Sequence, residues 1–235
     1  MILASERGTI VRAAIGIGLY AAAFGASFAA VSVGSGLSVG QTMLLSLVMF
    51  SGASQFAFVG VLAAGGSPFA AVPAALLLGV RNAFYGVPMS EILHPRGFRR
   101  LVSAHFVIDE TTAMAVGQQT QTGKRFAFWA TGLILCALWQ LGSLVGALVG
   151  KSIDPETFGL DAASPAIYLA LMWPAFKRVE ARWVAVVGAA IALALVPVAP
   201  AGVPVIAAAG AALVGGLLPR RTEQPDPAEA TEGAS

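Results

Sequence analysis

The sequence predicts an all-α polytopic membrane protein with about six or seven transmembrane helices. Of its 235 residues, 57% are hydrophobic and only 11% are charged, whereas soluble domains carry about 25% charged residues. The mean hydropathy is +0.79. The charges leave three long uncharged runs, at residues 13–80, 126–150 and 183–219. Because a spanning helix needs about 20 apolar residues, these runs have room for roughly three, one and two helices, and a soluble catalytic domain is excluded.

Apolar segments separated by glycine, proline, serine or charge follow one another along the chain. They cover residues 13–33, 41–64, 69–92, 104–117, 126–150, 163–176, 183–199 and 203–218. We expect the first to be a retained helix, since no small-residue cleavage site follows it. The segments form one transmembrane domain over 13–218, preceded by a cytoplasmic N-terminus at 1–12. The acidic, proline-containing composition of 219–235 is typical of a disordered tail.

Two of these segments are not expected to cross the membrane as simple helices. Segment 104–117 is too short to span and carries Asp109 and Glu110, so we expect a re-entrant, broken or interior-facing helix. Segment 41–64 contains a polar, glycine-containing interruption at 50–55, where a helix could open or turn back. The predicted fold therefore includes a broken or re-entrant segment near 41–64 and a short polar segment at 104–117.

The lysines and arginines predict the orientation. They cluster before residue 13 and at 93–103, 124–125, 177–182 and 220–221, and the positive-inside rule assigns all of these clusters, and both termini, to the cytoplasm. Three crossings before residue 93 would leave the 93–103 cluster outside. We therefore expect segment 41–64 not to cross fully. The alternative is that every segment crosses and that the 93–103 loop lies outside, since orientation is a summed bias.

Arg81 lies near the centre of segment 69–92, where a charge costs about 2.5–3.5 kcal/mol on insertion scales. Such a charge needs an anionic partner or water. Asp109 and Glu110 are the candidates at membrane depth, Glu91 lies nearer a segment end, and a substrate carboxylate is a further candidate. The alternative is a fixed bridge that only holds helices together.

Other polar residues are predicted to join Arg81. Asn82 follows it and Tyr85 lies one helical turn away, although ordinary interhelical hydrogen bonds would also explain both. If the helix opens at 51–55, its free N–H groups could bind a carboxylate and its free carbonyls an ammonium group, whereas packing of small residues is the alternative. The predicted substrate-binding residues are Ser51, Gly52, Ser54, Gln55, Arg81, Asn82 and Tyr85.

Asp109 and Glu110 are the predicted proton-coupling residues. Adjacent residues on a helix point about 100° apart, so one carboxylate could pair with Arg81 while the other exchanges a proton. His105 lies four residues before Asp109, but no third ligand stands at a suitable spacing, so no metal site is predicted. The single cysteine, Cys136, allows no intramolecular disulfide and no thiolate cluster, and no cofactor is predicted.

Three stretches resemble the AzlC-type family of branched-chain amino acid permeases. They are Gly52-Ala53-Ser54-Gln55-Phe56, Arg81 with Tyr85-Gly86, and Asp109-Glu110-Thr111, in that order and spacing. The resemblance implies an inner-membrane, proton-driven secondary transporter that exports valine, leucine, isoleucine and related substrates such as methionine. It also implies a partner, a small membrane protein of the AzlD type.

The sequence departs from the family pattern beside Arg81. Members commonly carry an asparagine two residues before the arginine and a histidine directly after it, where this chain has Gly79 and Asn82. Two alternatives to branched-chain amino acid export remain: a structural or regulatory membrane subunit without transport of its own, and a transporter of another small amphipathic substrate. An enzyme is not predicted, because the sequence offers no nucleophile–base pair and no metal-binding set.

Overall fold

Over residues 3–152, three long helices are separated along the chain by pairs of short ones. The structure is a computed structural model that describes residues 3–152, 173–177, 179–200, 203–204, 206–208 and 210. The helices are α1 (Ala4–Gly34), α2 (Val39–Val48), α3 (Gly52–Ala63), α4 (Pro68–Leu93), α5 (Phe98–His105), α6 (Asp109–Val116), α7 (Gln121–Ser152) and α8 (Val179–Leu195), with a 3₁₀ helix at Trp173–Lys177. Among the described residues there is no strand, and the predicted all-α membrane fold is confirmed.

Helices α1 and α7 form a close parallel pair. A Cβ added to Gly142 or Gly146 would collide with the carbonyl oxygen of Ala22 or Ala26, respectively. One turn further on, a Cβ on Gly150 would lie 2.9 Å from the Ala30 Cα. Residue numbers rise together on both helices, so the two run in the same direction. Small residues repeated every fourth position allow helix backbones to approach this closely in membranes.

Helix α4 runs in the opposite direction to this pair. The Arg125 Nε donates to the Ile92 carbonyl oxygen over 2.7 Å, which joins the last turn of α4 to the start of α7. The Arg7 guanidinium lies 5.5 Å from the centre of the Phe126 ring, so α1 also starts there. We call this end of the bundle the basic end and the opposite one the far end. The basic end carries Arg7, Arg12, Arg96, Arg99, Arg100, Lys124 and Arg125.

Helices α2 and α3 form a re-entrant hairpin, hairpin 1, that starts and finishes at the far end. The Thr42 hydroxyl bonds that of Ser32, near the end of α1, over 2.7 Å. Helix α2 then runs toward the middle of the bundle, where the Ser46 hydroxyl accepts a hydrogen bond from the Trp139 indole N–H over 3.1 Å. Helix α3 returns beside α4, because Val61 packs near the start of α4. With 10 and 12 residues, the two helices are only about 15 and 18 Å long.

The predicted break in segment 41–64 is thus confirmed, with the interruption at residues 49–51. The alternative topology, with every segment crossing, does not fit the direction of α4. That direction puts the 94–97 loop at the same end as the start of α1.

Helices α5 and α6 form a second hairpin, hairpin 2, with both of its ends at the basic end. The predicted short polar segment at 104–117 is confirmed, but it belongs to two helices, because the chain breaks at 106–108. The tips of the two hairpins meet inside the bundle. The Phe50 ring lies 5.6 Å from the His105 ring and 5.7 Å from the Phe106 ring.

The observed helices extend beyond some of the predicted apolar segments. Helix α1 begins at Ala4 rather than at residue 13, and α7 at Gln121 rather than at 126, because a helix can continue with polar residues past the apolar core. Three described helices are long and apolar enough to span a membrane: Ser5–Gly34, Pro68–Leu93 and Gln121–Gly150. The predicted tail at 219–235, and most of segments 163–176 and 203–218, lie outside the described residues.

Candidate functional site

A central cavity of about 720 Å³ lies where the hairpin tips meet helices α1, α4 and α7. This volume is within the range typical of small-molecule sites. Its lining comes from five elements. The lining residues are Gly16, Ile17, Tyr20, Ala21 and Phe24 of α1, Phe50–Ala53 and Phe56 of hairpin 1, Arg81 and Asn82 of α4, Ile108–Glu110 of hairpin 2, and Leu135 and Trp139 of α7.

An ion pair between Arg81 and Asp109 stands in this cavity. The Arg81 Nη2 lies 2.9 Å from the Asp109 Oδ2, and the two side chains are 47% and 38% exposed. The other carboxylate oxygen, Oδ1, is buried and has no hydrogen-bond partner in the described part of the chain. Tyr85, one turn along α4, lies beside the same carboxylate. The pair joins α4 to hairpin 2, and Asp109 is one of the anionic partners predicted for Arg81 from the sequence.

Glu110 adds a second carboxylate to the cavity wall. Arg81 contributes one positive charge, and Asp109 and Glu110 contribute two negative ones. When all three are ionised, this group therefore has a net charge of −1. The site can receive a cationic group beside Glu110 even while Asp109 remains paired with Arg81.

The N-terminus of α3 also faces the cavity, through Ser51, Gly52 and Ala53. The first N–H groups of a helix have no acceptor within the helix, and the Ser51 side chain makes no capping bond to them. The partial positive charge of a helix N-terminus therefore faces the cavity. The start of α3 packs tightly on α7, because a Cβ on Gly52 would approach Trp139 Cη2 to 3.0 Å and the indole would have to shift.

Gln55 and Ser54 are buried and do not line the cavity. The Gln55 side-chain amide donates to the Ser46 carbonyl oxygen over 3.2 Å and also to that of Met49. Its amide therefore spans the break between α2 and α3, and it is a second donor to the Met49 carbonyl oxygen, which also accepts from the Ser51 N–H over 2.9 Å. In hairpin 2 the hydroxyl of Thr111 has the same role: it donates to the Phe106 carbonyl oxygen over 2.6 Å and accepts from the Ile108 N–H over 3.1 Å.

Gly79 brings α4 close to the start of α3. A Cβ on Gly79 would lie 3.2 Å from the Ser54 Oγ, and this hydroxyl in turn bonds the Ser51 hydroxyl over 3.2 Å. A larger residue at this position would crowd Ser54. Asn82, three residues further along α4, lines the cavity directly.

Of the nine predicted site residues, the structure thus brings six to the cavity wall. These are Ser51, Gly52, Arg81, Asn82, Asp109 and Glu110. Tyr85 lies directly behind them against Asp109, whereas Ser54 and Gln55 stabilise the hairpin that forms part of the wall. In the described part of the chain no group of three His, Cys, Asp or Glu residues could hold a metal ion.

The apolar wall of the cavity was not predicted from the sequence. It includes Phe24, Phe56, Leu135 and Trp139, which come from three separate helices. In an apolar segment, the sequence does not indicate which other helix a given aliphatic or phenylalanine side chain will contact. Trp139 does offer a signal, because its indole N–H lies near the middle of segment 126–150, far from the interfaces where tryptophan is normally found.

Comparison with known proteins identifies the family. The AzlC protein family matches residues 16–153, which is more than half of the chain and includes both hairpins and the central cavity. The chain belongs to the AzlC family. No solved structure matches it.

Several curated members of the AzlC family align with most of the chain. A Helicobacter pylori membrane protein is 30% identical over 177 residues, covering 73% of this chain and 77% of its own length. The Escherichia coli inner membrane protein YgaZ is 27% identical, covering 70% and 72%. The Bacillus subtilis branched-chain amino acid transport protein AzlC is 20% identical, covering 68% and 63%. The chain is thus a membrane protein related to a branched-chain amino acid transport protein.

Proposed function

We propose that this protein is a secondary transporter that exports branched-chain amino acids across the bacterial inner membrane. The observation that carries the proposal is the Arg81–Asp109 ion pair, which stands in a ligand-sized cavity between two re-entrant hairpins. Transporter sites are often built from broken helices near mid-depth, where free backbone groups and a few charges meet the substrate.

Each part of a zwitterionic amino acid has a complementary group in the cavity. The carboxylate binds Arg81 and the free N–H groups at the start of α3. The ammonium group binds Glu110, whose charge is not balanced by Arg81 while Asp109 holds the guanidinium. The side chain packs against the apolar wall that includes Phe56 and Trp139.

The apolar wall supports valine, leucine and isoleucine as substrates, with methionine as a further one. It offers contact area to a side chain and lacks a charged group that would select a polar one. The Bacillus subtilis relative, a branched-chain amino acid transport protein, supports the same substrate class.

Glu110 provides a route for proton coupling in the direction that export requires. A proton and the substrate ammonium group compete for the Glu110 carboxylate, so the site holds one or the other, and the two cross the membrane in opposite directions. On the outer face a proton binds Glu110 and the substrate leaves; on the cytoplasmic face the proton leaves and the next substrate binds. The substrate carboxylate competes with Asp109 for the Arg81 guanidinium, and the Arg81–Asp109 pair forms again when the substrate is released.

The orientation and the partner complete the proposal. The basic end carries arginines and lysines from three separate stretches, so by the positive-inside rule it faces the cytoplasm. The N-terminus and, by the basic residues near it, the C-terminus are then cytoplasmic. We also propose that the chain is the large subunit of a two-component permease that contains a small membrane protein of the AzlD type. No enzymatic activity is proposed.

The test measures uptake of radiolabelled leucine, valine and methionine by inverted membrane vesicles, with and without a proton gradient. The vesicles contain this chain alone, the chain with its small subunit, or the Arg81→Ala variant with that subunit. Gradient-dependent uptake that needs both chains and Arg81 is expected. Uptake that is absent in every case would contradict the proposal, and a purely structural subunit would tolerate loss of Arg81 and Glu110.

A further inference from the structure

A second cavity of about 490 Å³ lies between α4 and hairpin 2, on the basic-end side of the central cavity. Its outer part includes Pro95 in the 94–97 loop and Arg100 in the first turn of α5, and this arginine is exposed. The second cavity therefore reaches the basic end. Further residues of its lining are Asn82, Ala83, Gly86, Ser90, Ser103 and Val107.

The two cavities are neighbours that share one residue. Asn82 lines both of them. On α4 the residue before it, Arg81, lines the central cavity, and the residue after it, Ala83, lines the second one. At the tip of hairpin 2 the boundary falls between Val107, in the second cavity, and Ile108, in the central one. The two spaces therefore adjoin at Asn82 and at the tip of hairpin 2.

We propose that the second cavity is the route by which the amino acid passes between the central cavity and the basic end. This inference rests on the transport function proposed above. The exposed Arg100 guanidinium at the rim attracts a carboxylate, and the hydroxyls of Ser90 and Ser103 offer hydrogen bonds along the way. Asn82, at the constriction, both donates and accepts hydrogen bonds but carries no charge, so it can pass a zwitterion without trapping it.

Gly86 allows this route to be closed. It lines the second cavity, and a Cβ built on it meets no atom within 4 Å. The Cβ of a larger residue at this position therefore meets no neighbouring atom, and we expect a phenylalanine here to occupy the second cavity. Gly8 is the matched control, because its Cβ also meets no atom within 4 Å and it lines neither cavity.

The first experiment needs no substrate. In a Cys136→Ala background, Ala53→Cys puts a thiol in the central cavity, and a membrane-impermeant thiol reagent is applied separately to each face of the vesicles. We expect Ala53→Cys to react from the basic-end face. Gly86→Phe should slow this reaction about tenfold, and Gly8→Phe should leave it unchanged. The inference is overturned if Ala53→Cys does not react from that face, or if Gly86→Phe is inserted and does not slow the reaction.

The second experiment blocks the route after the protein has folded. Ser90→Cys lies in the second cavity, whereas Gln119→Cys lies at an exposed position of the 117–120 loop, at the same end, and lines neither cavity. Both are labelled with a bulky maleimide, and leucine uptake is then measured. The adduct at Ser90→Cys should lower uptake about tenfold and the adduct at Gln119→Cys should not. Full labelling at Ser90→Cys with undiminished uptake would overturn the inference.

The two experiments separate this inference from the proposed function. If the protein moves no amino acid, the transport proposal fails. The reaction of Ala53→Cys, with and without Gly86→Phe, still decides whether the second cavity connects the central cavity to the basic end.

Discussion

Gly146 packs directly on the Ala26 backbone, with no room between them for one methyl group. Alanine normally stabilises a helix by about 1 kcal/mol relative to glycine. At this position the added Cβ meets backbone rather than a flexible side chain, so the helices must separate, and overpacking costs about 1–3 kcal/mol or more. We therefore expect Gly146→Ala to lower the unfolding temperature of the purified protein in detergent.

Gly8→Ala is the control for this substitution, because nothing lies within 4 Å of a Cβ on Gly8. It should leave the unfolding temperature unchanged or raise it. Equal effects of the two alanines would contradict close packing of α1 on α7.

The Arg81–Asp109 pair makes a prediction about transport. Arg81→Ala and Asp109→Asn should each reduce leucine transport more than tenfold, since each removes one half of a charge pair that the substrate must open. The double variant should be produced at the yield of the unmodified protein, because neither member of the Arg81–Asp109 pair is left without its partner, but it should not transport leucine. Arg99→Ala, at the basic end and outside both cavities, is the control. Full transport by both single variants would refute the mechanism.

Gln55 should be essential for the stability of hairpin 1. Gln55→Leu keeps a side chain of similar size but removes the side-chain donor to the Ser46 carbonyl oxygen, whereas the Met49 carbonyl oxygen keeps the Ser51 N–H. An unsatisfied buried polar group costs about 1–3 kcal/mol, so we expect a lower unfolding temperature. Gln118→Leu is the matched control, since its amide bonds only the Met114 carbonyl oxygen one turn away. A loss of stability no larger than that of the control would count against the role of Gln55.

The re-entrant path of hairpin 1 predicts on which face each loop is exposed. Cysteines introduced at Ser5 and Ala64 should react with an impermeant reagent from opposite faces of the membrane, because the first lies at the basic end and the second at the far end. The assay compares right-side-out with inverted vesicles in the Cys136→Ala background. Reaction of both cysteines from the same face would mean that segment 41–64 crosses.

Trp139 should limit the size of the transported side chain. Trp139→Ala enlarges the apolar wall, so the uptake of phenylalanine relative to valine should rise about tenfold. Trp139→Phe keeps an aromatic ring at the wall and loses the bond to Ser46, so it should change this ratio little while lowering stability by about 1 kcal/mol. An unchanged ratio in Trp139→Ala would exclude Trp139 from the substrate site.

The sequence predicted those parts of the site that conflict with their surroundings. Arg81, Asp109 and Glu110 stand out because a charge in an apolar segment is costly, and the interruption at 50–55 stands out because it is polar and contains glycine. Each of these signals is local. It can be read from the residue and its neighbours in the chain.

What the sequence could not supply depends on distant partners. The structural role of Gln55 is visible only once its amide is seen to bond a carbonyl group across the break. The apolar wall is likewise visible only once the facing sides of α1, α3 and α7 are known. The same holds for Gly142 and Gly146, since glycines are common in membrane helices and only the position of α1 explains these two.

Hairpin 1 has a consequence for how the protein is made. Ser46 bonds Trp139 and Ser143, which follow it by 93 and 97 residues, so α2 and α3 are synthesised long before α7 is. Neither helix is long enough to span the bilayer by itself, and the break between them cannot face lipid with free backbone groups. Helix α7 must therefore be synthesised before this hairpin can insert between its neighbouring helices. Its entry into the membrane is a late assembly step rather than part of the sequential insertion of helices.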